Sequence, residues 1–251
     1  MRLLLISIVL AAIFLLPALS VAFDFELPYK WVFNIPATGL DYMTVFFHEI
    51  GHTIAFWLFG FPAIPSFDFE YGGGMTYNLK RINAVLYVIY GATLLAFFWL
   101  LVKRHYNLAG AVVVAGALHM AVAFNTGHVV LITYMGHCTE LLVATFCILR
   151  AARGETVGGI VEQYLNMIFG LYIMGHTIIM SWGIIGSDIA RMAYSMQKGG
   201  HTMGDLDRLA KILEVPVQSV GMFSMGFTLA CAALVTVLAW WLPRAGRLGD
   251  L

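Results

Sequence analysis

The chain has 251 residues, of which 61% are hydrophobic and 11% are charged, whereas about 25% charged residues is usual for a soluble domain. The formal net charge is zero and no basic run stands out, so no nucleic-acid partner is expected. This composition excludes an ordinary soluble enzyme and predicts an all-α integral membrane protein whose main neighbour is the lipid bilayer.

Apolar runs long enough to cross a bilayer, which takes about 20 residues, occur along the whole chain. The first, residues 1–22, is interpreted as a transmembrane helix or signal anchor, and a cleaved signal peptide is the alternative. The others cover residues 41–59, 82–102, 108–124, 128–149, 160–185 and 217–242. They predict about six to seven transmembrane helices in a single polytopic domain that covers residues 1–251.

Residues 186–216, between the last two apolar runs, hold most of the polar side chains. We expect an extramembrane loop with short amphipathic helices here, and Asp205 can cap one of them in "DLDRLAKILEVP". Lysines and arginines are equally frequent in the loops on the two sides, so the sequence does not predict the orientation in the membrane. It does not predict the oligomeric state either.

The apolar run at residues 41–59 contains the stretch "FFHEIGHTIAFWLFG". His48, Glu49 and His52 form the H-E-x-x-H pattern, which on a helix places both imidazoles on one face, where they can bind one metal ion. Glu49 lies about 100° round the helix from His48 and can act as a general base without binding the metal. Zinc bound by two histidines and a third protein ligand keeps a position for water.

The membrane setting favours metal binding over a chance match. A charged side chain at the centre of a bilayer costs about 2.5–3.5 kcal/mol on insertion scales, so three polar residues within five positions need a compensating role. The sequence therefore predicts a Zn²⁺ site with His48 and His52 as ligands and Glu49 as the catalytic residue. A purely structural, hydrogen-bonded cluster is the alternative.

A third ligand is expected in "YMGHCTELLVATF", where His137 and Glu140 stand one helical turn apart. Glu140 is the first choice, since a carboxylate in an apolar segment is otherwise hard to explain. His137 is the alternative ligand, or a residue that orients the ligand. His176, in "IMGHTIIMSWG", could also reach the site, and Asp188 is a further option. An internal His137–Glu140 pair that joins two helices is the structural alternative.

The segment "SFDFEYGGGMTYN" at residues 66–78 alternates apolar and polar side chains around a run of glycines. This pattern predicts a short β-hairpin directly after the motif helix, and a plain connecting loop is an equally weighted alternative. The edge of a hairpin can pair with an extended peptide. We therefore expect Tyr71, Gly72, Gly73 and Gly74 to contribute to substrate binding.

These features together resemble the site-2 protease family of intramembrane zinc metalloproteases, in its small bacterial branch. The resemblance covers a predicted metalloprotease core at residues 41–153. It implies zinc on His48 and His52, Glu49 as base, an acidic third ligand that Glu140 would supply, a membrane-protein or peptide substrate, and a bacterial inner membrane as location. In this family the third ligand is usually an aspartate in an Asp-Gly motif, which "GHCTELL" lacks.

Other classes of function remain open beside a membrane-embedded zinc metalloprotease. The protein could be a non-proteolytic membrane protein that binds a metal or haem, or a degenerate protease-like protein that binds a partner. A di-iron membrane hydroxylase is the weakest of these, because such sites need further paired histidines and the chain has no adjacent His-His.

Overall fold

The computed structural model describes residues 2–68, 73–196 and 203–241. The described elements follow in the order α1 (Arg2–Phe14), α2 (Leu16–Ala22), α3 (Lys30–Leu58), β1 (Ala63–Asp68), β2 (Gly73–Asn78), α4 (Asn83–Val102), α5 (Tyr106–Ala123), α6 (Gly127–Arg153), α7 (Gly159–Gly186), α8 (Asp188–Met196), α9 (Asp205–Leu213) and α10 (Val217–Trp241). The predicted helical fold is confirmed, and one small sheet accompanies it.

Five described helices, α4, α5, α6, α7 and α10, are long and apolar enough to cross a membrane. The pair α1 and α2, bent by 50° at a short break, makes a sixth if it is one span. The motif helix α3 is not among these candidates, because polar side chains such as Asp41, His48, Glu49 and His52 interrupt it. The structure thus supports five or six spans where the sequence predicts six to seven.

Helices α6 and α7 form the centre of the described bundle. Of their most apolar windows, 39% and 56% of the residues are buried, against 6% and 11% for α4 and α5. Leu141 and Ala144 of α6 pack with Phe169 and Ile173 of α7 in the largest buried cluster. The motif helix α3 packs against α6, so the H-E-x-x-H residues lie inside the protein rather than at its surface.

Two glycines allow α3 and α6 to approach closely at the motif. A Cβ on Gly51 of α3 would lie 2.6 Å from the backbone oxygen of Met135 and 2.3 Å from the hydroxyl oxygen of Thr139. A Cβ on Gly136 of α6 would lie 2.5 Å from two ring atoms of His48. Small residues are typical of such close helix contacts in membrane proteins. The glycines therefore position the histidines of α3 against the polar residues of α6.

The predicted hairpin follows α3 directly. Helix α3 ends at Leu58, and Gly60 has a φ of 85°, the left-handed conformation that glycine adopts readily just beyond a helix end. Strands β1 and β2 pair antiparallel from Ala63↔Asn78 to Asp68↔Gly73, so the hairpin rather than a plain loop is present. Gly73 and Gly74 begin β2, whereas Tyr71 and Gly72 lie outside the described residues.

Helix α9 packs into the bundle, although the stretch that contains it is predicted to be extramembrane. Its apolar face is buried against α6, α7, α8 and α10 through a cluster that consists of Leu206, Leu209, Ala210, Tyr134, Ile184, Tyr194 and Val220. Burial of this face is favourable by about 25 cal/mol per Å² of apolar surface. As a result, the first residue of α9, Asp205, lies at the motif helix.

Candidate metal centre

Three side chains from α3 and α9 converge at one point. The Nε2 atoms of His48 and His52 are 2.9 Å apart. Oδ2 of Asp205 lies 2.8 Å from Nε2 of His48 and 3.2 Å from Nε2 of His52. Both imidazoles are buried. Two nitrogens and one carboxylate oxygen therefore lie within 3.2 Å of one another, close enough for one metal ion to contact all three.

The partners of the other ring nitrogens indicate that both Nδ1 atoms act as hydrogen-bond donors. Nδ1 of His52 lies 2.7 Å from the carbonyl oxygen of Ile132, which can only accept, so Nδ1 is the donor. Nδ1 of His48 lies 2.7 Å from Oε1 of Glu140 and likewise donates to a carboxylate. In neutral imidazoles of this tautomer both Nε2 atoms present lone pairs.

In this tautomer the lone pairs face each other and the carboxylate of Asp205, which is repulsive unless a metal ion or a proton on one Nε2 lies between them. A metal ion removes this repulsion, and histidine nitrogens together with a carboxylate oxygen are ligands that zinc, iron and similar metals accept. Metal-binding histidines commonly donate their second N–H to a carboxylate or a backbone carbonyl, as His48 and His52 do here. The donor set therefore fits a bound metal ion.

Asp205 is held in place by the first turn of α9 and by its neighbours. The N–H of Gly204 donates to Oδ2 of Asp207 at 3.1 Å, and the N–H of Leu206 donates to the hydroxyl of Tyr194 at 3.3 Å. A Cβ on Gly204 would lie 2.4 Å from the ring of Tyr194, so glycine is needed for this close packing. These contacts fix the first turn of α9, which directs the carboxylate of Asp205 at the two histidines.

From the sequence, Asp205 is expected only as a helix cap, and its position at the metal centre is not predicted. Leu209 follows Asp205 by four positions, so on a helix the two side chains share the buried apolar face. An acidic residue on the apolar face of an amphipathic helix is the signal that could have identified it. Asp188, the aspartate that was considered, is exposed and pairs with Arg191 at the start of α8.

Glu140 and His137 of α6 are buried beside the motif, as expected for residues of a site. Oε1 of Glu140 contacts Nδ1 of His48, and its Oε2 lies 3.2 Å from Nδ1 of His137. Glu140 therefore contacts two imidazoles at their Nδ1 atoms, and on His48 this is the nitrogen that faces away from the converging Nε2 atoms. Its role as the third ligand stays a prediction, and Asp205 is closer to the position that a third ligand needs.

His137 offers a further donor atom at this centre. Its Nε2 is buried without a hydrogen-bond partner in the described part of the chain. One ligand atom of His137 lies within 4.8 Å of ligand atoms of both His48 and Asp205. A buried nitrogen left without a partner costs free energy, about 1–3 kcal/mol, unless something unseen binds it. His137 is therefore in a position to bind the metal as an additional ligand, or to form a hydrogen bond with a group bound at the metal.

Glu49 is buried beside the histidines and in contact with the hairpin. One of its carboxylate oxygens lies within 4.8 Å of ligand atoms of His48 and His52. Its Oε2 accepts a hydrogen bond of 2.7 Å from the hydroxyl of Thr76 in β2. A Cβ on Gly74 would lie 2.4 Å from Cγ of Glu49, so glycine allows the strand to pass directly over this carboxylate.

A cavity of about 460 Å³ extends along α3 from this centre. At one end it is lined by His48, Glu49 and Glu140 together with Gly73 and Gly74. At the other end it is lined by residues of α3 and α7 that include Asp41, Tyr172 and His176. His176 thus reaches the cavity, but its ring nitrogen is near Asp41, at 3.9 Å from Oδ1.

The close contact between Gly136 and His48 leads to a prediction. Gly136→Ala should lower the free energy of unfolding by about 1–3 kcal/mol, because the new methyl group overlaps the His48 ring, and metal occupancy should fall with it. Gly110→Ala is the matched control, since that position in α5 has open space and the change should be neutral or stabilising by up to about 1 kcal/mol. Thermal unfolding and metal analysis of both variants would test this, and equal behaviour would contradict it.

Comparisons of this chain with protein-family models, with curated proteins and with solved structures find no match. The assignment of the site therefore depends on its own side chains. Those side chains form a buried cluster that could hold a metal ion, with a glutamate, a strand and a cavity beside it.

Proposed function

We propose that this chain is a membrane-embedded zinc metalloprotease of the site-2 protease kind, which hydrolyses peptide bonds of membrane or membrane-proximal substrates. The observation that carries the proposal is the placement of Glu49. It is a buried carboxylate beside the donor atoms of His48 and His52, and it also contacts β2. A general base for metal-bound water needs a carboxylate in this position.

In this proposal His48, His52 and Asp205 hold the metal. Glu140 and the carbonyl of Ile132 fix the two imidazole rings through their Nδ1 atoms, which sets their tautomers and makes them better ligands. Bound zinc supplies a Lewis acid that polarises a carbonyl and lowers the pKa of a water molecule to about 7.

The residue that moves the proton is Glu49. Thr76 donates to its Oε2, while its Oε1 has no hydrogen-bond partner in the described part of the chain. Thr76 thereby orients the carboxylate, and Oε1 is the atom that accepts the proton of the attacking water and returns it to the leaving amine. Burial of the carboxylate in a cavity keeps bulk water from competing for that proton.

The hairpin supplies the surface for the substrate. Gly73 and Gly74 of β2 line the cavity next to Glu49, and the described sheet has only two strands, so backbone groups at its edges are open to pairing. An extended peptide that adds to the β2 edge would bring its carbonyl groups past Glu49. Glycines without side chains allow this close approach. Tyr71 and Gly72 belong to the same predicted surface.

The location in a membrane is supported by the five or six apolar helices of suitable length. A substrate that is itself in or near the membrane could reach a site among these helices. Location in a bacterial inner membrane is part of the same proposal, and it is supported by the resemblance of the sequence alone.

Removal of the metal tests the proposed function. Purified protein loaded with zinc should create new chain ends when it is added to membranes, whereas chelator-treated protein should create none. Re-addition of zinc should restore the cleavage, because the histidines and Asp205 remain available. Mass spectrometry of peptide termini measures this outcome. Chain ends that persist after chelation would contradict a metalloprotease, and an intense haem absorbance would indicate a different cofactor.

A non-proteolytic metal-binding protein is the second candidate, and the unpartnered Nε2 of His137 favours it. If His137 joins His48, His52 and Asp205, four protein ligands occupy the metal and leave no position for water, as in structural zinc sites. This alternative predicts that zinc binds and raises the stability of the protein but that zinc-loaded protein creates no new chain ends.

A further inference from the structure

A third carboxylate, that of Asp41, lines the cavity at a distance from the metal centre. Asp41 precedes His48 by seven residues of the continuous helix α3, so the two side chains point within about 20° of each other around the helix. Both residues line the same cavity. Asp41 and Glu49 are eight residues apart, which corresponds to about 12 Å along the helix axis.

The carboxylate of Asp41 is fixed through one oxygen. The hydroxyl of Tyr172 donates to Oδ1 of Asp41 at 2.6 Å. Tyr172 is itself only 1% exposed, and its ring is stacked on that of His176 with a centroid distance of 5.9 Å. The second oxygen, Oδ2, has no hydrogen-bond partner in the part of the chain that the structure describes. Because the side chain of Asp41 is 43% exposed and lines the cavity, this oxygen is accessible to a ligand.

The charge of Asp41 is only weakly compensated. Among the described residues His176 is the one basic side chain within 4 Å, at 3.9 Å, and no lysine or arginine forms an ion pair with Asp41. Lys30 lines the same cavity without such a pair. A half-exposed carboxylate without a lysine or arginine partner can accept charge-assisted hydrogen bonds from a cation. The position is therefore suited to an incoming ammonium or guanidinium group.

We propose that Asp41 forms a subsite that binds a lysine or arginine side chain of the substrate, three or four residues from the cleaved bond. An extended peptide advances about 3.3 Å per residue, so a peptide that follows the cavity covers about 12 Å in that number of residues. Tyr172 is a positioning residue in this subsite, because it acts through Asp41. The inference depends on the proposed function and names a substrate preference for it.

The test uses the sites of zinc-dependent cleavage in membranes treated with the full-length protein. The wild-type protein should show an enrichment of lysine and arginine at one fixed position, three or four residues from the cut and always on the same side. Asp41→Asn should lose this enrichment, and Asp41→Lys should replace it with aspartate and glutamate. A structural role of Asp41 would not reverse the preferred charge.

A matched pair of peptides, with lysine or uncharged norleucine at that position, gives the kinetic test. Asp41→Asn should raise KM for the lysine peptide about 10–100-fold with little change in kcat, since a hydrogen bond to a charged group is lost in both ground and transition states. The norleucine peptide should be cleaved equally by both proteins. Tyr172→Phe, which keeps the charge of Asp41, should show a smaller rise in KM for the lysine peptide.

Failure of the subsite and failure of the proposed function give different experimental results. If cleavage depends on zinc but shows no charge preference, or if Asp41→Asn cleaves the two peptides in the wild-type ratio, the subsite is wrong and the proposed function stands. If the wild-type protein produces no zinc-dependent cleavage, the proposed function is wrong and the subsite is rejected with it. Should Asp41→Asn fail to fold, a rise in KM of Tyr172→Phe that is confined to the lysine peptide supports the subsite, and a wild-type ratio of the two peptides in Tyr172→Phe rejects it.

Discussion

Glu49→Gln should abolish most of the proteolytic turnover while the metal remains bound. Glutamine has nearly the same volume as glutamate and its amide oxygen can still accept the hydrogen bond from Thr76. It cannot accept a proton from water at neutral pH, so the turnover should fall by about 10²–10⁴-fold. Because the Glu49 side chain forms no hydrogen bond with His48, His52 or Asp205 and a general base does not bind the metal, zinc content should be unchanged.

Two measurements on the same sample separate this prediction from its alternatives. Elemental analysis gives the zinc content, and the rate at which new chain ends form in membranes gives the turnover. Glu155→Gln is the matched control, since this exposed glutamate pairs with Arg153 at the end of α6 and should leave both quantities at wild-type values. Wild-type turnover in Glu49→Gln would show that Glu49 is not the base, and the metal would then be structural or transported.

The chemistry of the motif helix could be predicted from the sequence because it depends on local geometry. A spacing of four residues places His48 and His52 on one helical face in any α-helix. The cost of polar groups among apolar ones also indicates that Glu140 and His137 are buried near partners. The hairpin was similarly predictable from the alternation in residues 66–78 and its glycines.

The partner atoms of these residues could not be predicted, because they depend on how two helices cross. Whether Glu140 faces Nδ1 or Nε2 of His48 is set by the contact of α3 with α6 at Gly51 and Gly136. A glycine in a membrane helix can mark a close contact, but the sequence does not name the helix on the other side. The sequence therefore places Glu140 in the site and leaves its role open.

The position of Asp205 beside the histidines could not be predicted from the sequence either. Asp205 contacts His48 and His52 across 157 and 153 residues of chain. The periodicity of "DLDRLAKILEVP" predicts an amphipathic helix, but the same apolar face could lie on a membrane surface or pack into a protein. Only the burial of Leu206 and Leu209 in the bundle shows that α9 packs inward and brings Asp205 to the histidines.

The choice between Asp205 and Glu140 as third ligand leads to the last prediction. Asp205→Ala should reduce bound zinc from about one ion per chain to nearly none, because a catalytic zinc site needs three protein ligands. Added zinc should then no longer raise the free energy of unfolding, whereas in the wild-type protein it should raise it by about 2.7 kcal/mol at a hundredfold excess over Kd. Elemental analysis and unfolding with and without zinc measure both effects.

Glu140→Gln and Asp207→Asn complete the comparison. If Glu140 only orients His48 and His137, its amide variant should weaken zinc affinity about 10–100-fold without abolishing binding. Asp207 lies in the same turn as Asp205 but accepts the N–H of Gly204, so Asp207→Asn should keep full zinc content. The opposite pattern, with full zinc in Asp205→Ala and none in Glu140→Gln, would assign the third ligand to Glu140. Asp205 would then contact the histidines without binding the metal.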